Sequence, residues 1–365
     1  MKKNKKLAFL ISFFLALSSC TFVVRFPAFE VKRNPSGKIF RGVFHVHSSF
    51  SHDSKASLET IYQMAQKAHL DFVAVTDHNN VDAVESYEKS NLPKDPLLIF
   101  GNEISSSNGH LIALGVHEIP PPDKEAGQEL VDWIHEKGGV AIIPHPLGKK
   151  SKWLDWEIRR FDGLEVYNFF HNIFDNNLIE FGLEFAFLPP SIFLRVLDNN
   201  MTRYFELYDR VLQHDKVAAL SGTDAHVRFK IFGWTPENLL LSFQSVNTLV
   251  LADSLEPKKI IEAIGKGRCF TAFESFGDAS DFIFQAEQGT RSYTMGDNLA
   301  ADFPMHFTVR VPQPAKIRLL RDGQVVLEKE GTQAVYQDTQ AGVYRVEVYR
   351  GKKLWIISSP IYSQK

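Results

Sequence analysis

The sequence has few cysteines, little net charge and no long apolar run beyond its first twenty residues. Its 365 residues include only Cys20 and Cys269, which excludes a disulfide framework and a thiolate-rich zinc site. The formal net charge of −2 argues against a partner such as nucleic acid that is bound through bulk charge. The length allows one large α/β domain and a smaller second one.

The first nineteen residues (1–19) have the pattern of a secretory signal peptide. Lysines near the amino terminus precede an apolar stretch over Leu7–Leu17, which is too short to span a bilayer comfortably. The stretch ends in Ser18-Ser19-Cys20, which resembles a bacterial lipobox, so we expect a lipidated Cys20. The predicted location is the cell envelope, anchored to a bacterial membrane with the outer membrane or periplasmic side favoured. A plain signal peptide or an uncleaved anchor is the alternative.

The rest of the chain divides by texture. Residues 20–40 contain prolines without a sustained period and are interpreted as a tether, whereas 41–278 alternate short apolar runs with helical stretches, as β/α units do. Residues 169–215 predict a helical insertion, either a buried helical hairpin or a lid over a site or a face that meets the membrane. Short strands separated by turn pairs over 279–365 predict an immunoglobulin-like β-sandwich.

Histidines and carboxylates recur beside the predicted strands. His45 and His47 stand two residues apart in one strand, so their side chains point to the same face. Further motifs of this kind are HDS (52–54), TDH (76–78), GNE (101–103), GH (109–110), PHP (144–146) and GTDAH (222–226). In a β/α barrel the carboxyl ends of the strands converge on one face, so these side chains would meet there.

The motifs together resemble the PHP superfamily, the polymerase and histidinol phosphatase domain. The matching stretches, in the family's order over about residues 42–272, are FHVHSSFSHDS, VAVTDHN, GNEIS, GHLIALGV, IIPHP and SGTDAH. The resemblance implies an α/β fold, a distorted (β/α)7 barrel, followed here by the all-β module. It also implies metal-dependent hydrolysis of phosphate esters, since most members are phosphoesterases and some are nucleases or proofreading domains.

The same resemblance implies three divalent metal ions held by nine side chains. The first ion would be held by His45, His47, Glu103 and Asp224. The second would be held by His110 and His145, with Glu103 bridging to the first. The third would be held by Asp53, His78 and His226. Imidazole and carboxylate ligands without thiolate suit Zn, Mn or Fe better than Mg or Ca.

The expected catalytic side chains are Glu103, Asp224 and His226. Adjacent divalent ions lower the pKa of bound water, so a hydroxide near Glu103 would attack phosphorus in line. We expect a phosphorylated small-molecule substrate and no nucleic acid. One alternative is a surface binding protein that keeps metal without turnover. Another is a single-strand nuclease, although the chain lacks a basic stripe interleaved with aromatic residues.

Several residues near the motifs have more than one interpretation. His52 competes with Asp53 as a ligand of the third ion, and Asp77 is expected to orient a ligand. Glu165 is either a carboxylate that orients a ligand or a charge at the edge of the core. Cys269 is expected to be core packing. The histidines outside the motifs are interpreted as surface or core residues: His69, His117, His135, His171, His214 and His306.

Overall fold

The structure is a computed structural model that describes residues 38–124, 126–149, 151–174, 201–227 and 239–364. The predicted signal peptide, Cys20 and nearly all of the predicted tether lie outside the described residues. So does the middle of the predicted insertion, residues 175–200.

Seven strands close into a barrel. They are β1 (Ile39–Val46), β2 (Phe72–His78), β3 (Leu97–Ser106), β4 (Gly109–Leu114), β5 (Val140–Ile143), β6 (Gly163–Asn168) and β7 (Ala218–Ala225). Each strand pairs with the next, and Phe44 of β1 lies opposite Gly222 of β7, which closes the ring. The predicted seven-stranded barrel is therefore confirmed.

One strand of the barrel runs against its neighbours. β4 is antiparallel to both β3 and β5, whereas the other barrel pairings are parallel. β3 and β4 form a hairpin with only residues 107 and 108 between them, so no helix separates this pair. The barrel thus departs from seven regular β/α units, and the start of β4 lies at the same end as the carboxyl ends of the other strands.

Helices cover the outside of the barrel. In the described residues they are α1 (Leu58–Lys67), α2 (Asp82–Glu88), α3 (Gly127–Glu136), α4 (Phe169–Phe174), α5 (Thr202–Val211), α6 (Leu239–Phe243) and α7 (Pro257–Gly265), with 3-10 turns at Pro122–Lys124 and Glu274–Phe276. Ser57 caps the amino end of α1, because its hydroxyl accepts a hydrogen bond from the Thr60 amide at 3.1 Å. None of the described helices is long and apolar enough to cross a membrane.

Two apolar layers hold the barrel together. Phe44, Phe72, Ile99 and Leu220 belong to one buried cluster. The alternate strand residues pack with the helices in a second cluster. Cys269 lies in the first cluster, where burial raises the pKa of its thiol to about 12, so it is a packing residue.

An all-β module follows the barrel, as the sequence predicts. Its strands are β10 (Ile283–Gln288), β11 (Arg291–Thr294), β12 (Asn298–Ala300), β13 (Met305–Arg321), β14 (Gln324–Asp338), β15 (Gly342–Arg350), β16 (Lys353–Ser358) and β17 (Ile361–Gln364). They enclose a core of their own that includes Phe284, Phe307 and Trp355. Strands β8 (Asn247–Leu251) and β9 (Cys269–Ala272) link the two parts, because β8 pairs with β1 and β9 pairs with β16.

Candidate metal centre

The topology brings all nine predicted ligands to one mouth of the barrel. The side chains at the carboxyl ends of β1, β2, β3, β5 and β7 converge there, as in other β/α barrels. His110 stands at the amino end of β4, and the reversed direction of that strand carries it to the same mouth. The sequence order of the ligands therefore reflects the order of the strands around the barrel.

The predicted ligands of the first ion form one compact group. The Nε2 atoms of His45 and His47 lie 2.9 and 3.1 Å from Glu103 Oε2. The same two nitrogens lie 3.3 and 3.2 Å from Asp224 Oδ1. Four donor atoms from three strands thus face one point, and their spacing allows one ion to contact all four.

Glu103 joins this group to the next one through its second oxygen. Its Oε1 lies 2.7 Å from His110 Nδ1 and 3.0 Å from His145 Nε2. Glu103 is fully buried, and its two oxygens face different sets of imidazoles. This is the arrangement that a bridging carboxylate requires.

The predicted ligands of the third ion lie beside the first group. His226 Nε2 is 2.9 Å from Asp53 Oδ2, and His78 Nε2 is 3.8 Å from the same oxygen. His47 belongs to this group as well, with its ring stacked on that of His226 at 4.0 Å. His52, the alternative to Asp53, is exposed and outside each potential ligand group found in the described residues.

Three of the converging residues have strained backbone. His45, His145 and Asp224 have φ values of +63°, +29° and +51°, a region that residues other than glycine rarely occupy. At His45 the pairing of β1 with both neighbours shifts register. The irregularity comes directly after Phe44, whose side chain belongs to the buried cluster that also contains Phe72 and Leu220. It lets the His45 side chain turn toward the mouth although its neighbour Phe44 is also buried in the barrel. Such strain persists where the surrounding structure fixes it and is concentrated at functional sites.

Several buried donor and acceptor atoms at the mouth make no hydrogen bond with any described residue. They are His45 Nε2, Nδ1 and Nε2 of His47, His78 Nδ1, Glu103 Oε2 and His226 Nε2. An unsatisfied buried polar atom costs about 1–3 kcal/mol, so a cluster of them is stable only with a further partner. Nitrogen and carboxylate donors that face common points fit divalent cations as that partner.

The electrostatics of the mouth show how closely these groups are coupled. Burial alone would lower the pKa of His45, but Glu103, Glu165 and Asp224 raise it well above its ordinary value. Burial likewise opposes the charge of Glu103, yet His45 and His78 hold its pKa well below the usual range. In His78 burial prevails and lowers the pKa to about 4. The carboxylates are therefore ionised and need positive charge nearby.

Glu165 orients His45, a member of the first group, through a hydrogen bond to the ring nitrogen that faces away from the other ligands. Its Oε1 accepts a hydrogen bond from His45 Nδ1 at 2.9 Å, which directs Nε2 of that ring toward the mouth. Its Oε2 accepts from the His145 amide at 2.7 Å and from Asn168 Nδ2 at 2.8 Å. A Cβ at position 222 would approach Glu165 Oε1 to 1.8 Å, so glycine is needed there. Of the two interpretations of Glu165, the structure favours the orienting carboxylate.

Asp77 has a similar supporting place. Its two oxygens accept hydrogen bonds from the amide and the hydroxyl of Ser48, each at 2.6 Å. Ser48 follows His47 directly, so Asp77 fixes the end of β1, and it belongs to none of the potential ligand groups found in the described residues. This matches the expectation that Asp77 orients a ligand.

The sequence analysis missed His171. It was interpreted as a surface or core residue, but its Nε2 lies 3.2 Å from Asp224 Oδ2 and its ring packs on His145 at 4.4 Å. The position three residues after β6, at the start of α4, was the available signal. The other unassigned histidines lie away from the mouth: His69, His117, His214 and His306 are exposed, and His135 bonds to Asp162.

A separate concavity lies on the outer wall of the barrel, between α2 and α7. Its volume is about 790 Å³, and its lining includes Leu98, Phe100, Val140 and Ile261. None of the nine predicted ligands lines it. Because this wall is largely apolar and gathers no cluster of ligand atoms among the described residues, the mouth of the barrel remains the candidate functional site.

Part of the barrel is similar in sequence to known proteins. Residues 44–143 match the family model of the PHP domain. A curated relative, an uncharacterized protein of Methanocaldococcus jannaschii, is 29% identical over 161 residues, which cover 41% of this chain and 94% of that protein. The matched residues 44–143 include the first six of the nine ligand candidates, from His45 to His110.

Two solved structures show a weak similarity to this chain. One is a two-domain protein from Bacteroides vulgatus containing a predicted PHP-like metal-dependent phosphoesterase, with a TM-score of 0.44, 14% identity and coverage of 91% of this chain and 98% of that one. The other is endonuclease Q in complex with a 27-mer duplex containing an abasic lesion, with a TM-score of 0.38, 14% identity and coverage of 62% of this chain and 56% of that one.

Proposed function

We propose that the protein is a metal-dependent phosphoesterase of the PHP type, because residues 44–143 match the family model of the PHP domain. The observation that carries the proposal is the set of buried imidazole and carboxylate atoms around Glu103 that lack hydrogen bonds and face common points. A core histidine cluster with a purely structural role would satisfy these atoms within the chain.

The donor set fits three divalent ions. His45, His47, Glu103 and Asp224 would hold the first. His110 and His145 would hold the second with Glu103, and Asp53, His78 and His226 would hold the third. The absence of thiolate ligands in the described groups favours Zn, Mn or Fe. Bound ions would supply Lewis acidity at phosphorus and lower the pKa of water, which is the chemistry that phosphoester hydrolysis needs.

The residues of the chain would position these ions and the substrate. Glu103 would set the separation of the first two ions, since each of its oxygens faces a different group of imidazoles. Glu165 would fix His45 and the backbone of His145. His226, whose Nδ1 lies 2.7 Å from the carbonyl of Asp224, would keep its Nε2 toward Asp53. The mouth would thus be preorganised before a phosphate ester arrives.

The test is turnover by protein that has been stripped of metal and then reloaded. Phosphate release from p-nitrophenyl phosphate, its bis ester and a single-stranded oligonucleotide would be followed with Mn²⁺ or Zn²⁺. We expect hydrolysis of at least one chromogenic ester that disappears with chelator and returns with metal. Binding of metal without turnover of any ester would favour the surface binding protein. Preference for the oligonucleotide would favour the nuclease.

We also propose that the protein is anchored to a bacterial membrane through a lipidated Cys20. The support is the lipobox-like sequence that ends at Cys20. A Cys20→Ala variant should appear in the soluble fraction after carbonate washing, whereas the natural sequence should stay with the membranes. A variant that remains in the membrane fraction would contradict the anchor.

A further inference from the structure

Asp224 faces two different groups with its two oxygens. Its Oδ1 lies 3.3 and 3.2 Å from the Nε2 atoms of His45 and His47. Its Oδ2 points away from them and lies 3.2 Å from His171 Nε2. This repeats the division seen in Glu103, whose two oxygens also face separate sets of imidazoles.

His171 is held in place by residues of the centre itself. Asn168 is fully buried and accepts a hydrogen bond from the His171 amide at 3.0 Å, while its side-chain amide donates to Glu165. A Cβ at Gly148 would come within 2.8 Å of His171 Nδ1, so the small residue there makes room for the ring. The His171 side chain is 18% exposed. Its contacts therefore fix the His171 ring at the mouth of the barrel.

From this geometry we propose that His171 is a tenth metal ligand and that Asp224 is a second bridging carboxylate. Donor atoms of His145, His171 and Asp224 lie within 4.8 Å of one another, a spacing that one ion can span. His145 also faces Glu103, so the ion that the three residues share is the second one. That ion then has ligands from β3, β4, β5, β7 and α4.

The proposal rests on the proposed metal centre and extends it to the start of α4. α4 follows β6 directly and opens the predicted insertion over 169–215. Because His171 belongs to α4, binding of the second ion would depend on where this first turn after β6 lies. Removal of the imidazole lowers the affinity for the second ion, while the groups around His47 and Asp53 keep their own ligands.

The test uses Co²⁺ as the probe and metal binding as the readout. Metal-free wild type, His171→Ala and His171→Phe are titrated by calorimetry, and bound cobalt is counted by elemental analysis. The phenylalanine variant keeps a flat ring against His145 but removes both nitrogens. His110→Ala serves as the reference for loss of a ligand. His306→Ala, an exposed position in β13, is the matched control.

We expect both His171 variants to lower the affinity for one cobalt ion at least about tenfold. They should also alter the visible cobalt spectrum, and His110→Ala should do the same. His306→Ala should match the wild type. Unchanged cobalt affinities and spectra in both His171 variants would overturn the inference, even if turnover fell, and would leave the phosphoesterase proposal intact. A wild type that binds no cobalt at all would instead remove the metal centre on which the proposal rests.

Discussion

Two buried charged clusters of this protein differ in how their charges are balanced. Near the β-module, Arg345 donates to both oxygens of Asp209 at 2.6 and 2.7 Å and to Glu347 at 2.6 Å. Tyr349 donates to the other oxygen of Glu347 at 2.7 Å. At the barrel mouth, by contrast, the imidazoles surround Glu103 at short distances while several of their nitrogens make no hydrogen bond.

The difference separates a structural ion cluster from a binding site. The guanidinium of Arg345 supplies a fixed charge and geometry that match its carboxylates, so the cluster is complete within the chain. Among the described residues, the positive charge close to Glu103 at the mouth would come from protonated imidazoles. A cluster of the first kind should respond to mutation through stability, and one of the second kind through metal and activity.

The largest expected effect is on turnover. Asp224→Asn and His145→Ala should each reduce hydrolysis at least about a thousandfold, because loss of an ion removes several kcal/mol of stabilisation and each 1.4 kcal/mol is about tenfold in rate. Circular dichroism should show an intact fold. Asp123→Asn, in an exposed 3-10 turn, is the matched control. Wild-type phosphate release in both site variants would rule out the assigned centre.

The structural cluster should respond in the opposite manner. Arg345→Met keeps most of the apolar stem but leaves Asp209 and Glu347 without their counterion, which should lower the free energy of unfolding by about 3–5 kcal/mol. Lys89→Met removes an exposed partner of Glu85 and should cost under about 0.5 kcal/mol. Urea titration measures both. The comparison fails if Arg345→Met is as stable as Lys89→Met, or if the folded variant binds less metal.

Glu165 hydrogen-bonds within the chain, as the Arg345 cluster does, but its partners are residues of the metal centre. Its substitution should therefore change metal affinity. Glu165→Gln weakens the partner of His45 Nδ1 and turns an amide toward the His145 N–H, so metal affinity should fall by about 10- to 100-fold. Glu157→Gln, at an exposed carboxylate, should have no effect. Calorimetric titration with Mn²⁺ is the measurement. Equal affinities in the two variants would show that Glu165 is only a core-edge charge.

The alternation of short apolar runs with helical stretches predicted β/α units, and the resemblance of the motifs to the PHP superfamily implied the seven-stranded barrel. The placement of His45 and His47 followed from strand periodicity alone. The register irregularity at His45 did not, because it depends on how β1 pairs with both β2 and β7. Likewise the reversed β4 explains why His110 stands at the amino end of its strand, and nothing local to Gly109-His110 reveals that direction.

His171 and Glu165 were harder to assign for the same reason. Each becomes significant only through contacts with residues distant in sequence, such as Asp224 for His171 and His45 for Glu165. A histidine in a phenylalanine-rich segment and a glutamate in an apolar strand are each compatible with packing or surface roles. Gly222 and Gly148, which make room for these two side chains, carry no sequence signal of that purpose.

The smallest expected effect, taken per pH unit, is the change of metal affinity with pH. Burial would lower the pKa of His47, but the carboxylates of Asp224 and Glu103, which lie 3.2 and 3.1 Å from its Nε2, raise it to about 9. In the metal-free protein this raised pKa stabilises the fold fully below about pH 6.5, and the contribution is lost as pH rises through 9. His78, with a pKa of about 4, is already neutral over that window.

Metal must displace the His47 proton, so the apparent affinity should rise by up to about tenfold per pH unit between pH 6.5 and 9. The difference in Tm between metal-loaded and metal-free protein should widen over the same window, which differential scanning calorimetry can measure. Asp224→Asn removes one of the two carboxylate charges beside His47 and should flatten the pH dependence of Tm in the metal-free protein. A Tm difference that stays constant from pH 6.5 to 9 would mean that no imidazole at the mouth exchanges a proton for metal. The mouth would then not differ from the Arg345 cluster in the way its charges are balanced.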